Sequence, residues 1–130
     1  MSIFRTAAIA AAVLTLSASQ AFAHAELLSS APAANATVAA PTRIVLKFGE
    51  ALEGKLSGGE ITSTQMMMAG KMVTHVMKID GVKAELDPAD HKTLILTLMA
   101  PLGAGTYKVN WHAVSTDTHR EQGSFTFTVK

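Results

Sequence analysis

The chain has no cysteine, so a secreted domain made from it lacks a disulfide staple and must stand on its apolar core. The same absence removes the usual soft ligand for copper(I) or zinc. Any soft-metal site would have to be built from methionine and histidine. Aromatic residues are few, with one Trp, one Tyr and five Phe in 130 residues, which leaves little material for a broad aromatic binding face. An excess of charge of either sign is missing too. Setting aside Arg5, the eleven basic residues become ten, against ten acidic. There is no basic stripe for nucleic acid and no acidic tail. The apolar stretch from Ala7 to Leu16 is too short to span a bilayer, and no later run is long enough to form a transmembrane helix.

What is present begins with that short stretch. Arg5 supplies a charged start, Ala7–Leu16 an apolar middle, and Ala21-Phe22-Ala23 an A-x-A cleavage site. Residues 1–23 therefore read as a secretory signal peptide and 24–130 as one exported domain, expected to be soluble. Cutting after Ala23 would make His24 the first residue. A terminal histidine offers two nitrogens to one metal, the α-amine and the ring Nδ1. The amine's ordinary pKa of about 7.7–8.0 lets a strongly binding divalent ion displace its proton near neutrality. Copper(II) binds such nitrogen sites best among the first-row divalent ions.

The remainder reads as all-β. Arg43–Phe48 is β-branched and lies between Pro41 and Gly49. A short strand is expected over Glu60–Gln65. Val73, His75, Met77 and Ile79 alternate up to the turn signal Asp80-Gly81, and Val82–Leu86 is expected as the return strand. Leu94, Leu96 and Leu98 alternate next. Tyr107, Val109, Trp111 and Ala113 share one face of a further strand, and Phe125, Phe127 and Val129 one face of the last. Seven short strands separated by turn residues predict a β-sandwich. The small-residue opening, Ser29 to Ala40, is expected to be a loop crossing it.

Two sets of candidate ligands differ in softness. The hard set is His24, Asp117 and His119, with Glu50 adding an oxygen or holding a ligand in place. In an extended segment Asp117 and His119, two apart, would face the same way. Nitrogens plus oxygen suit tetragonal copper(II). The plainer alternative is a polar loop with Asp117 capping a turn. The soft set is Met66, Met67, Met68, Met72 and Met77 with His75 among them, suited to copper(I). Methionine also fills irregular core space, but three in a row cannot all face inward from a strand. His91 and His112 read as surface residues.

These residues resemble the CopC family of periplasmic copper-binding proteins. Tyr107-Lys108-Val109-Asn110-Trp111, Ser115-Thr116-Asp117-Thr118-His119 and Gly123-Ser124-Phe125-Thr126-Phe127-Thr128-Val129 are similar to its C-terminal signature. His24-Ala25-Glu26-Leu27 with Ser30-Ala31-Pro32 is similar to its N-terminal one, and Leu46-Lys47-Phe48-Gly49-Glu50 to its acidic segment. The resemblance implies a seven-stranded Greek-key β-sandwich of the cupredoxin or immunoglobulin-like barrel type. It implies copper(II) on His24, Asp117 and His119 with Glu50 nearby, and copper(I) on a Met-rich loop containing one His, matched here by Met72, His75 and Met77 first and then by Met66 and Met68. It further implies a role in copper homeostasis or resistance, sequestering or carrying the ion, without enzymatic activity. An inner-membrane partner of the CopD type, or another periplasmic copper protein, would exchange metal with it. Thr118 departs from the pattern, standing where Gly is usual.

Two other functions fit parts of the pattern. A terminal-His copper centre also serves oxidative polysaccharide-cleaving enzymes, but those keep an open copper position, which Asp117 would help fill. A non-metal interaction sandwich would leave His24, Asp117 and His119 far apart, and its melting temperature would ignore metal.

Overall fold

In Arg43–Phe48, Ile44, Leu46 and Phe48 are buried while Arg43 and Lys47 are exposed, a period of two that assigns one face of the strand to the core. The same alternation recurs along the chain, and it builds a two-layer sandwich in the computed structural model. Residues 26–130 are described; the expected leader, residues 1–23, and His24 lie outside them.

Among the described residues there are nine strands and no helix. They are β1 (Leu27–Ala31), β2 (Thr37–Val38), β3 (Arg43–Phe48), β4 (Gly58–Met68), β5 (Lys71–Lys78), β6 (Val82–Leu86), β7 (Thr93–Leu98), β8 (Gly105–Val114) and β9 (Arg120–Val129). One sheet runs β1-β3-β7-β6 and the other β2-β9-β8-β4-β5. Ile44, Leu46, Leu94 and Leu96 from the first meet Ile61, Tyr107, Val109 and Phe127 from the second. Burying each such side chain contributes about 1.5–3 kcal/mol. The Tyr107 and Phe127 rings stack at 5.8 Å, and Phe48 stands edge-on to Trp111 at 5.2 Å across the layers.

The seven expected strands are all present, and two short ones join them. The second lies within the segment expected to be a crossing loop, Ser29 to Ala40, and the first runs into its start. Leu27–Ala31 pairs antiparallel with β3, and Thr37–Val38 pairs parallel with β9. Leu27-Leu28-Ser29-Ser30-Ala31 and Thr37-Val38 show no apolar alternation because each strand lies at the edge of its sheet and sets only Leu27 or Val38 against the core. A second correction concerns Val82–Leu86, which is not the return strand of β5. Gly81 does turn the chain, with φ 73°, but β6 pairs with β7 in the opposite sheet. The Ile79 N–H is bonded to the Ile61 carbonyl, and Ile79, Val82 and Leu86 all pack on the core. Apolar burial thus carries the chain across the sandwich instead of back along β5.

Candidate copper sites

The end of the sandwich carrying Asp117 and His119 is laced by main-chain hydrogen bonds. The Gly49 N–H donates to the Glu26 carbonyl, the Thr116 N–H to the Ala51 carbonyl, and the Glu53 N–H to the Val114 carbonyl. Leu52 bridges Ser115 and also donates to the His91 carbonyl. The loop after β3 is therefore stitched to the start of β1 on one side and to the β8–β9 turn on the other. Glu50, half-buried, stands between Gly49 and Ala51, the two residues that make those bonds.

Asp117 and His119 do come together, though not through the extended segment expected. Residues 115–119 form a turn: the Thr118 N–H donates to the Ser115 carbonyl, the Ser115 N–H to the His119 carbonyl, and Thr118 has φ 76°. The Asp117 Oδ1 lies 3.1 Å from the His119 Nδ1 and also accepts from the Ser115 hydroxyl. Asp117 thus holds the turn as well as facing the histidine. The Ser115 hydrogen bond, followed by contacts from His119, keeps its carboxyl below the usual aspartate range against a partial desolvation that pushes the other way. Both side chains are about half exposed, at 47% and 53%, so the pair is open to an incoming ion. Among the described residues no group of three or more His, Cys, Asp or Glu is placed to hold a metal.

The methionines occupy a hairpin and not a loop. β4 extends three residues beyond Gln65, so Met66, Met67 and Met68 form its last turnward positions. Ala69 and Gly70, with φ of 51° and 77°, make the two-residue link to β5. Residues opposite one another in an antiparallel pair share a face. Met66 stands opposite Val73, and a Cβ at Gly103 would meet its methyl group at 3.9 Å, beside the Tyr107 hydroxyl. That is the core-side face. His75 and Met77 alternate with Val73 onto it, His75 reaching the buried Ser63. Met67 and Met72 stand opposite each other on the outer face. The structure therefore groups Met66, His75 and Met77, with Met68 two along from Met66, and parts Met72 from them. An ion shared by Met72 and His75 would sit around the free edge of β5, the last strand of its sheet.

Two residues that matter here escaped the sequence reading, Ser63 and Ser115, both wholly buried. Ser63 did leave a signal. It falls on the inward beat of β4 after Ile61, where a polar residue needs a partner. Ser115 left none, because its role depends on a turn. His91 and His112 are exposed, as expected.

The fold is a two-layer β-sandwich, antiparallel but for the β2–β9 pair, and it carries a carboxylate–histidine pair at one end and a methionine–histidine hairpin in one sheet. The CopC domain family matches residues 27–130, and the chain belongs to that family. Copper resistance protein C of Escherichia coli is 44% identical over 131 residues, covering all of both chains. That of Xanthomonas campestris pv. juglandis is 45% identical over 116 residues, 89% of this chain and 87% of the relative. The crystal structure of PcoC, a methionine-rich copper resistance protein from Escherichia coli, superposes with a TM-score of 0.72 at 44% identity, covering 83% of this chain and all of that one.

Proposed function

We propose that this chain binds copper outside the inner membrane and holds or carries it in copper resistance, without turning over a substrate. Copper(II) is taken by His24, Asp117 and His119, with Glu50 beside them. The observation that carries this reading is the bond from the Gly49 N–H to the Glu26 carbonyl, together with that from Thr116 to Ala51. Residue 24 is two residues from Glu26, a span of at most about 7 Å. A chain cut after Ala23 would begin within that reach of Glu26, and its amine and ring would add two nitrogens to the donors Glu50, Asp117 and His119. Copper(I) is taken on the hairpin by Met66, His75 and Met77, thioethers being the soft donors available. Two sites of different softness let one domain hold both oxidation states. A membrane transporter of the CopD type is the proposed exchange partner, and the periplasm the proposed compartment.

The test is a copper(II) titration followed by electron paramagnetic resonance on protein beginning at His24, beside the same protein carrying one extra N-terminal residue. A nitrogen-rich tetragonal signal that collapses with the extension is expected. Equal spectra would remove His24 from the site. Peroxide-dependent oxidation by the copper-loaded protein would favour the enzyme reading.

A further inference from the structure

Ser63 lies wholly inside the sandwich, yet its hydroxyl reaches out to one residue of the edge strand β5. Its Oγ is 2.5 Å from the carbonyl oxygen of His75 and 3.1 Å from the Nδ1 of the same residue. A serine hydroxyl has one proton, and a carbonyl oxygen can only accept. The proton therefore goes to the carbonyl, and Oγ is left to accept. The Nδ1 must then be the donor in the second contact. In the neutral ring this puts the proton on Nδ1 and the lone pair on Nε2.

The backbone explains why this grip exists. Thr62 pairs with Lys78 and Ser63 with Met77, but the register then slips, so that Gln65 pairs with Thr74. Without the slip His75 would stand opposite Gln65. With it, His75 and Val76 together face Thr64, and His75 swings to the inward-facing hydroxyl of Ser63. Holding the residue at both its carbonyl and its ring fixes the ring's rotation as well as its tautomer. Metal-binding histidines are commonly oriented in this way by a hydrogen bond to the other ring nitrogen.

We propose that Ser63 is a positioning residue that fixes His75 as the Nδ1–H tautomer and so makes Nε2 the atom the ring offers to a soft metal on the β4–β5 hairpin. The metal half of this statement rests on the copper(I) reading of the hairpin given above; the tautomer half does not. The opposite tautomer would turn the lone pair inward onto a buried hydroxyl, where no ion can approach. Met77 stands directly across from Ser63, so the grip also keeps the ring on the same strand face as that thioether.

The experiment is long-range proton–nitrogen correlation on nitrogen-15-labelled, metal-free protein at alkaline pH, where histidine rings are neutral. His75 is expected to show a protonated-type shift at Nδ1 and an unprotonated-type shift at Nε2. Ser63→Ala is expected to release the ring toward the Nε2–H form, which an unconstrained histidine side chain favours, and Ser63→Thr to restore the wild-type pattern. An Nε2–H signature in the wild type overturns the proposal, and that result needs no variant to fold. So does an unchanged tautomer in a folded Ser63→Ala protein. Silver(I), a redox-inert stand-in for copper(I), is then added and is expected to shift Nε2 of His75. Silver bound by methionines with His75 unmoved overturns the metal half alone. No silver binding at all refutes the copper(I) reading of the hairpin, and the tautomer result is unaffected by it.

Discussion

The main-chain N–H of Thr116 donates to the carbonyl oxygen of Ala51 at 3.0 Å, and this bond places Asp117 one residue away from a loop whose previous residue is Glu50. A backbone bond makes no demand on the side chains at 116 and 51. The acidic loop and the histidine turn are thus held in register by the main chain, whatever side chains stand at 51 and 116. The same logic governs the hairpin, where the register slip at Ser63 selects which residues face His75.

Thr118 is β-branched and has φ 76°, a left-handed conformation that costs an ordinary L-residue about 1–2 kcal/mol. Thr118→Gly removes that cost while giving back about 0.5–1 kcal/mol through the looser unfolded chain. A net gain of about 0.5–1 kcal/mol is expected, read as a higher thermal midpoint with the copper(II) spectrum unchanged. A lower midpoint would mean that the threonine side chain makes a stabilising contact.

Ser115→Ala removes the hydroxyl donor to Asp117 and is expected to cost about 1 kcal/mol, the ordinary value for such a bond. The sign of its pH dependence follows from the depressed carboxyl. Stability from that group is present above the unfolded aspartate value and is lost as pH falls through the lower folded one. The wild type should therefore lead the variant at neutrality, and the gap should narrow as pH drops below about 4. A carbon-13 titration of the Asp117 carboxyl should show its midpoint moving up toward the ordinary value. An unmoved midpoint would assign the depression to His119.

Tyr107 is buried and donates its hydroxyl to the Gly103 carbonyl at 2.6 Å. Burial pushes the phenol above its ordinary value. A raised folded value means that the stability it contributes is complete below the unfolded value, about 10, and is lost as pH rises through the folded one. The chain has one tyrosine, so ultraviolet titration of phenolate reads this group alone. Ionisation at the free-tyrosine value in still-folded protein would contradict the burial argument.

Gly123 stands opposite Trp111, and a Cβ there would lie 2.6 Å from its Cζ2. Gly123→Ala must displace the indole and weaken its edge contact with Phe48. A loss of about 1–3 kcal/mol is expected, the usual cost of overpacking. The single tryptophan should change its fluorescence in parallel. Unchanged emission and stability would show that the ring moves at no cost.

Strands that bury one face wrote themselves into the sequence. Arg43–Phe48, Thr93–Leu98 and Tyr107–Ala113 alternate because each packs an inward set against the other sheet. Edge strands that bury little, Leu27–Ala31 and Thr37–Val38, left no such pattern. The pairing of β6 with β7 was hidden for a related reason. A turn signal at Asp80-Gly81 says that the chain reverses, but not which sheet receives it.

The candidate ligands divide along the same line. Residue chemistry alone marked His24, Glu50, Asp117 and His119 as hard donors and the Met66–Met77 cluster as soft ones, since softness belongs to the side chain wherever it lies. Only the tertiary structure decided which of them share a space. It brought Asp117 to His119 through a turn that carries Thr118 at positive φ, and stitched the Glu50 loop to Glu26 and Thr116. It also set Met72 on the face away from His75, and seated His75 on Ser63. Those relations depend on strand register and on hydrogen bonds between segments distant in the chain, which a one-dimensional pattern does not encode.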